Sequence, residues 1–570
     1  MSDLLNQASL VMVPSGYKED TVYSVVPSDG SGDLAFTRAS NGTRINSAGL
    51  VEVTPWNLLD DSERFANWNL QGTSVSTDST TAPNGTTTAD TIIESNTTDE
   101  HNRFVEPNIG GGQFTYSVYL KKYNADWCAL YVFNTAVGGV RHWVNLSTLT
   151  AGTSANIGSG IGTTSISISD VGNGWCRASI LFNNPSGACR FYVANAQSNG
   201  GSSNYAGNGT SGVYVWGAQV NVGSTAKPYF PTTDRLNVPR LTYQNGGGGC
   251  PSLLLEKQST NLQLYSQELD NAYWNTYNLT VTGNNGISPD GTQNADTLTF
   301  DANATARLEK PVGGTYESQT HTVSVYAKVT SGTQQFRLKC THANVADYYS
   351  SDLTVTTEWQ RFTFTQTFGA SVGTGIVSGV INSSSGTAKS ILFYGFQLEA
   401  NSSYATSYIP TTSSSATRVA DVAFKTSASA LIGTSQGVVF IDFFGRATTT
   451  NSRILTITGG AEELLIFMEP TGTGNIGVYG TYTGLNYIDI GGANDKLYKF
   501  AYAWKANDYA LYVNGSAITL TQSASVYSSL SRIDLNQAQS GAEIGKTVVK
   551  NFALFPTRLT NAELASLTTL

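Results

Sequence analysis

The chain has 570 residues, only 13% of them charged, and a formal charge of −9 from 32 Lys plus Arg against 41 Asp plus Glu. At roughly 150 residues per domain, this length holds about four domains, each able to bury its own core. Thr, Ser, Asn, 57 Gly and 29 Tyr take the place of the missing charges, a composition that favours strands and turns and argues against helical or disordered chains.

The thin negative charge has no basic cluster, which argues against nucleic-acid binding. No apolar run approaches 18 residues, and the first twenty residues lack a basic stretch followed by an apolar one. The chain is therefore expected neither to enter a membrane nor to carry a signal peptide. Cys128, Cys176, Cys189, Cys250 and Cys340 are odd in number and lack CxxC spacing, so they read as small buried hydrophobes in a reducing cytosol.

In chain order, the first distinctive string is Leu34-Ala-Phe-Thr-Arg38 followed by Asn46-Ser-Ala-Gly-Leu50. A duplication comes next. Asn57-Leu58 leads to Trp68 in the first copy, and Asn261-Leu262 to Trp274 in the second. Pro83-Asn-Gly85 and Asp90 of the first copy answer Pro289-Asp-Gly291 and Asp296 of the second. Further on, Ser117-Val-Tyr119 matches Ser324-Val-Tyr326, and Trp175-Cys-Arg177 matches Trp359-Gln-Arg361. Both copies close alike, with Trp216-Gly-Ala-Gln219 leading to Tyr229-Phe-Pro231, and Tyr394-Gly-Phe-Gln397 to Tyr408-Ile-Pro410. Period-2 apolar runs between Gly, Asn and Ser clusters predict an antiparallel β-sandwich for each copy. The Trp-x-Arg element falls at a strand start, where the indole would cover the sandwich edge and the guanidinium would reach solvent or a carboxylate.

Between the copies lie Asn237-Val-Pro-Arg240 and Ser252-Leu-Leu-Leu-Glu256. After the second copy, 438–444, 497–504, 509–515 and 544–555 read as strands, with Asn514-Gly515 as a two-residue hairpin. A single short helix is predicted where Thr560 and Glu563 form a capping-box pattern.

The fold class is all-β: tandem antiparallel sandwiches of jelly-roll type. The predicted domains are an N-terminal module over 1–55, a first sandwich over 56–234, a second over 259–420 and a terminal jelly roll over 421–570. Residues 235–258 are either a linker or the second half of the N-terminal module.

Catalysis finds no support. Glu462-Glu463 is adjacent and would point to opposite faces of a strand, no acidic alternating motif provides the paired carboxylates of a glycosidase, and the four histidines are scattered. Binding has more candidates. Trp68, Trp274, Trp216 and Tyr394 could stack on sugar faces, although recurrence in both copies equally marks packing that the fold needs. Tyr205, Tyr349 and Tyr482 are further loop aromatics. Asn84, Asp90, Asp290 and Asp296 could hold a structural Ca²⁺, and the competing reading of the turn residues is an Asx-turn bonding its own backbone. No other cofactor is expected.

The "FTRAS…NSAGL" and "NVPRL…CPSLLLE" strings, with the Asn-Leu start of each copy, resemble virion structural proteins of tailed bacteriophages. The order of aromatic strand, "LYVNG", a strand ending "FALF" and an "LTNAEL" helix resembles concanavalin A-like (laminin G-like) jelly rolls. The resemblance implies a non-enzymatic head fibre, tail fibre or decoration protein, assembled in the host cytoplasm and carried on the virion. Its implied partners are capsid or tail proteins, further copies of itself with a trimer as one option, and host surface polysaccharide. A tail polysaccharide depolymerase and a purely structural decoration without sugar binding are the alternatives.

Overall fold

The computed structural model describes residues 4, 6–162, 164–185, 187–202, 204–244, 246–342, 347–370, 375–446, 450–470, 475–489 and 496–570. Its regular structure is almost entirely antiparallel strand, as a sequence of short apolar alternations between turn residues demands. The chain divides into two compact units, Pro55–Arg235 and the combination Met1–Thr54 with Leu236–Leu570.

Pro55–Arg235 contains two six-stranded sheets. One runs Thr150–Gly158, Gly138–Asn145, Trp127–Asn134, Cys189–Ala196, Asn102–Val105 and Asn69–Gln71. The other runs Ser165–Gly172, Trp175–Asn184, Gly112–Lys122, Gly212–Val222, Ala89–Glu94 and Thr73–Thr80. Alternate residues such as Tyr116, Val118 and Leu120 from one sheet and Leu130, Val132 and Val193 from the other fill a single core, as period-2 burial requires.

The second unit contains the other sandwich, with two five-stranded sheets built from strands between Asn275 and Ala400. Its core includes Leu298, Val323, Val325, Leu338 and Phe393. Both sandwiches bulge at the same place, between Ser117 and Tyr119 and between Ser324 and Tyr326. Opposite each bulge sits a glycine with positive φ, Gly217 at 62° and Gly395 at 67°. A Cβ on Gly217 would lie 3.0 Å from the Tyr119 ring, so both the backbone and the neighbouring ring call for glycine there.

The same unit holds an eight-stranded and a nine-stranded sheet around a shared core. Strands from the N-terminal segments belong to these sheets. Leu10–Met12 and Ser252–Glu256 both pair with Lys546–Phe555, and Leu34–Thr37 pairs with Val422–Lys425. Residues read from sequence as a small module thus supply strands to the sheets of the terminal sandwich. Asn514 and Gly515 have φ of 49° and 82° between paired strands, the hairpin geometry that the dipeptide prefers. The helix Asn561–Thr568 carries the full capping box of Thr560 and Glu563. It is joined by a one-turn helix, Ser429–Ile432, that the sequence does not announce. Four cysteines are buried, but Cys250 is exposed, so that residue is not a core hydrophobe.

The motif residues meet in a buried ionic knot. Arg38 of "FTRAS" pairs with Asp421 at 2.8 Å, and Arg240 of "NVPRL" pairs with Asp421 and, at 2.9 Å, with Glu256 of "SLLLE". Arg418 lies 3.6 Å from Glu256 and 3.7 Å from Asp421. All five side chains are at most 1% exposed. Burial pushes the Arg38 guanidinium down to about 10, so it stays charged at neutral pH. Burial alone would raise Asp421, but Arg240, Arg38 and Arg418 outweigh it and hold this carboxyl below its usual range.

Candidate functional site

The two sandwiches share one hydrogen-bond frame. The Asp90 carboxylate accepts from the backbone N–H of Phe65 and of Asp78, both at 3.0 Å. Asp296 accepts from Leu269 and Asn284 in the same way, at 2.6 and 2.8 Å. Burial raises both carboxyls to about 6. The oxygens proposed for Ca²⁺ at these two positions are therefore already committed to backbone donors. Asn84 Oδ1 accepts from Thr86 N–H and Oγ1 at 3.0 and 2.7 Å, and Asp290 Oδ1 accepts from the same groups of Thr292. These are Asx-turns. Among the described residues, no group of three or more His, Cys, Asp or Glu is placed to hold a metal ion.

Trp68 and Trp274 are core residues rather than stacking platforms. They are 4% and 5% exposed, and their indole N–H groups donate to the carbonyls of Asp61 and Tyr265. The Trp-x-Arg element also departs from expectation. The Arg177 and Arg361 guanidiniums lie over the Tyr119 and Tyr326 rings at 5.2 and 5.4 Å, and each donates at 2.9 Å to the serine two residues before that tyrosine. A planar cation gains more on a half-buried ring than in water or against a distant carboxylate.

Tyr119 also lines an open pocket of about 380 Å³ on the first sandwich. It is lined by Tyr119, Tyr229, Pro83 and Pro231; Trp216 lies beneath them and, 4% exposed like Trp68, supports the tyrosine rings rather than serving as a stacking platform itself. The rings are mutually packed, with centroids 5.1 Å apart for Tyr119–Trp216 and 4.7 Å for Trp216–Tyr229. The indole N–H donates to Thr88 Oγ1 at 3.1 Å, which fixes the ring. Glu63 and Asn84 supply polar groups at the wall. The Tyr229 hydroxyl donates to Glu63 Oε1 at 3.1 Å, and burial raises the Glu63 carboxyl above its usual range. With Oδ1 of Asn84 held in its turn, the amide nitrogen of that exposed residue serves as a donor. The shallow pocket thus places two tyrosine rings beside a carboxyl and an amide.

The second sandwich carries Tyr326, Tyr394, Tyr408, Gln267, Asp290, Pro289 and Pro410 at the matching positions, with Tyr in place of Trp216, Gln in place of Glu63 and Asp in place of Asn84. There this surface is covered. The hairpin of Gly42–Ile45 and Val51–Thr54 lays Val51 and Ile45 into one apolar cluster with Tyr394, Tyr408 and Tyr326. Val51 N–H donates to the Pro289 carbonyl at 2.8 Å, and Thr43 Oγ1 donates to the Tyr408 carbonyl at 2.5 Å. A Cβ on Gly291 would meet Leu50 at 2.9 Å, whereas nothing lies within 4 Å of the corresponding position at Gly85. Tyr394 is 2% exposed, its hydroxyl held between Gln267 Nε2 at 2.5 Å and Asp290 Oδ2 at 2.9 Å. Burial excludes it as a stacking platform.

The loop aromatics are dispersed. The Tyr205 hydroxyl donates to Glu94 at 2.6 Å, Tyr349 to Asp347, and Tyr482 to Glu462 at 2.8 Å. They do not converge with the pocket. Glu462 is buried and Glu463 exposed, on opposite faces of their strand. Of the pocket residues, sequence reasoning singled out Trp216 and Asn84 and missed Glu63, Tyr119 and Tyr229. Both tyrosines lie in the recurring blocks, so the repeat itself held that signal.

No protein-family profile matches the chain, and no curated protein matches it. Among solved structures it is similar to the CBM40 of a Ruminococcus gnavus IT-sialidase bound to α2,3-sialyllactose. That match has 13% identity over 24% of this chain and 84% of that one, with a TM-score of 0.21. It is also similar to the tandem CBM22-1–CBM22-2 domain of Paenibacillus barcinonensis Xyn10C, at 11% identity over 60% and 97%, with a TM-score of 0.20. A third is the receptor-binding domain of a botulinum neurotoxin mosaic serotype C/D, at 12% identity over 26% and 39%, with a TM-score of 0.22.

Proposed function

We propose that the protein is a non-enzymatic, glycan-binding structural protein of a tailed-bacteriophage virion, a fibre or decoration protein that meets host surface polysaccharide through the pocket of its first sandwich. The observation that supports this reading is the pocket itself. The half-buried Tyr119 and Tyr229 rings, backed by Trp216, would offer an apolar surface to pyranose C–H groups, while Glu63 would accept from sugar hydroxyls and Asn84 would donate to them. Glu63 is the one carboxyl residue among its lining residues, whereas glycoside hydrolysis needs two carboxyls about 5 to 10 Å apart. Binding, not bond cleavage, is what this chemistry suits. A shallow single-sugar site gives weak affinity, which many copies on one particle would multiply. The virion role rests on the sequence resemblance alone; the buried knot of Arg38, Arg240 and Glu256 accounts for the recognised strings as parts of the fold.

The test has two parts. The purified protein is titrated with neutral oligosaccharides of host surface polysaccharide, with reducing ends assayed in parallel. Millimolar to micromolar binding that Trp216→Ala removes, without new reducing ends, is the expected result; reducing ends that accumulate would replace it with an enzyme. For the virion role, the chain is expected in the proteome of purified particles, and its absence would overturn that role.

A further inference from the structure

We infer that the second sandwich holds a latent copy of this binding site, and that the hairpin tip Leu50-Val51 is its built-in occupant. This rests on the reading of the first pocket as a sugar site. The argument is one of aligned parts. Every aromatic wall of the open pocket has a tyrosine at the matching position of the second sandwich, and the bulge, the positive-φ glycine and the Asx-turn beside it are all repeated. What differs is what lies on top. In the second sandwich an apolar side chain sits over the turn glycine, Val51 packs into the tyrosine cluster, and one donor each goes to the carbonyls of Pro289 and Tyr408.

A pyranose brings the same set of groups, a flat face of C–H bonds with hydroxyl donors around its rim. The hairpin therefore shows how a ligand engages this surface, and it assigns the ligand class. A neutral sugar would lie with its apolar face on Tyr119 and Tyr229 and donate hydroxyls to the carbonyls of Pro83 and Tyr229, the counterparts of those the hairpin uses. An acidic sugar would meet the Glu63 carboxyl instead. Each chain then offers one working site, and valency on a particle comes from the number of chains.

Isothermal titration with a neutral oligosaccharide tests this on the full chain. Wild type is expected to bind one equivalent, and Trp216→Ala none. The triple variant Thr43→Val, Leu50→Ala and Val51→Pro, which removes the covering side chains and both donors to the Pro289 and Tyr408 carbonyls, is checked for its fold by circular dichroism and is expected to bind two equivalents. The same three changes in the Trp216→Ala background are expected to bind one, through the vacated second site. If the triple variant does not fold, Thr43→Val with Leu50→Ala is titrated, with a second site at least tenfold weaker expected. One equivalent in a folded, vacated variant overturns the latent site and leaves the first pocket standing, as do two equivalents in wild type. No binding by wild type overturns the sugar reading and this inference together.

Discussion

The two sandwiches are built alike and used differently. Each has a buried aspartate bonded to two backbone N–H groups, a serine and a tyrosine sharing a hydrogen bond, and a tryptophan capping a loop carbonyl. Yet the first closes on itself within Pro55–Arg235, while the second shares one compact unit with the terminal sandwich and the N-terminal segments. The contrast shows that a surface does not acquire a role from its residues alone: three aromatic side chains make a pocket in one copy and a socket in the other, and a two-residue tip decides which.

The strongest way to break this comparison is to attack the unit that holds the socket. Arg240→Ala removes the guanidinium that Glu256 and Asp421 share, leaving these buried acids to Arg418 and Arg38, and is expected to cost that unit about 3 to 5 kcal/mol. Peptide-resolved hydrogen exchange should show Pro55–Arg235 unaffected; equal loosening of both units would refute their separateness. Next come the matched carboxylates. Asp90→Ala and Asp296→Ala each orphan two backbone donors and should lower stability by about 2 to 4 kcal/mol, each within its own unit, as urea unfolding would read. A smaller effect is expected at the pocket wall, where Tyr119→Ala should weaken sugar binding roughly tenfold, or about 1.4 kcal/mol, while Tyr326→Ala leaves it unchanged.

The finest distinction is in pH. Burial lowers His142 in the first sandwich and His321 in the second to about 4. Their unfolded value is near 6.5, so the stability they allow is full above that pH and is lost as pH falls toward 4. Asp90 and Asp296 have the opposite sign: raised to about 6, they take up protons in the folded state first and restore stability over the same range. In the second sandwich His321 is thus set against Asp296, while in the first Glu63 and Asp60, also raised by burial, act in the same direction as Asp90. His321→Phe should therefore gain stability relative to wild type as pH drops from 7 to 4.5, and Asp296→Asn should lose it. Parallel denaturation curves at the two pH values would sink the assignment.

The all-β class, the Asn514-Gly515 hairpin and the capped terminal helix can be read from sequence because each depends on neighbours in the chain. The duplication is equally plain, since Trp68 and Asp90 recur as Trp274 and Asp296 with the same 22-residue spacing. The pocket is harder to see. Glu63, Pro83, Tyr119, Trp216 and Tyr229 come from separate stretches, and nothing local states that they converge. Recurrence even misleads, because Trp68 and Trp274 repeat for the sake of the core. The role of Leu50 is hidden for the same reason: it lies about 240 residues before the glycine it covers. The strings "FTRAS" and "NVPRL" stand out without revealing that their arginines share one acid.

The pairing of Leu10–Met12 with Lys546–Phe555 has a consequence for synthesis. Leu10–Met12 cannot pair until residues 546–555, more than 500 positions later, have been made, so the unit that contains both closes only after that point in translation. Pro55–Arg235 has all its strands long before then. An emerging chain would carry one finished sandwich while Leu10–Met12 stays unpaired, and a chain cut short before residue 546 would hold a sound pocket and an open sheet.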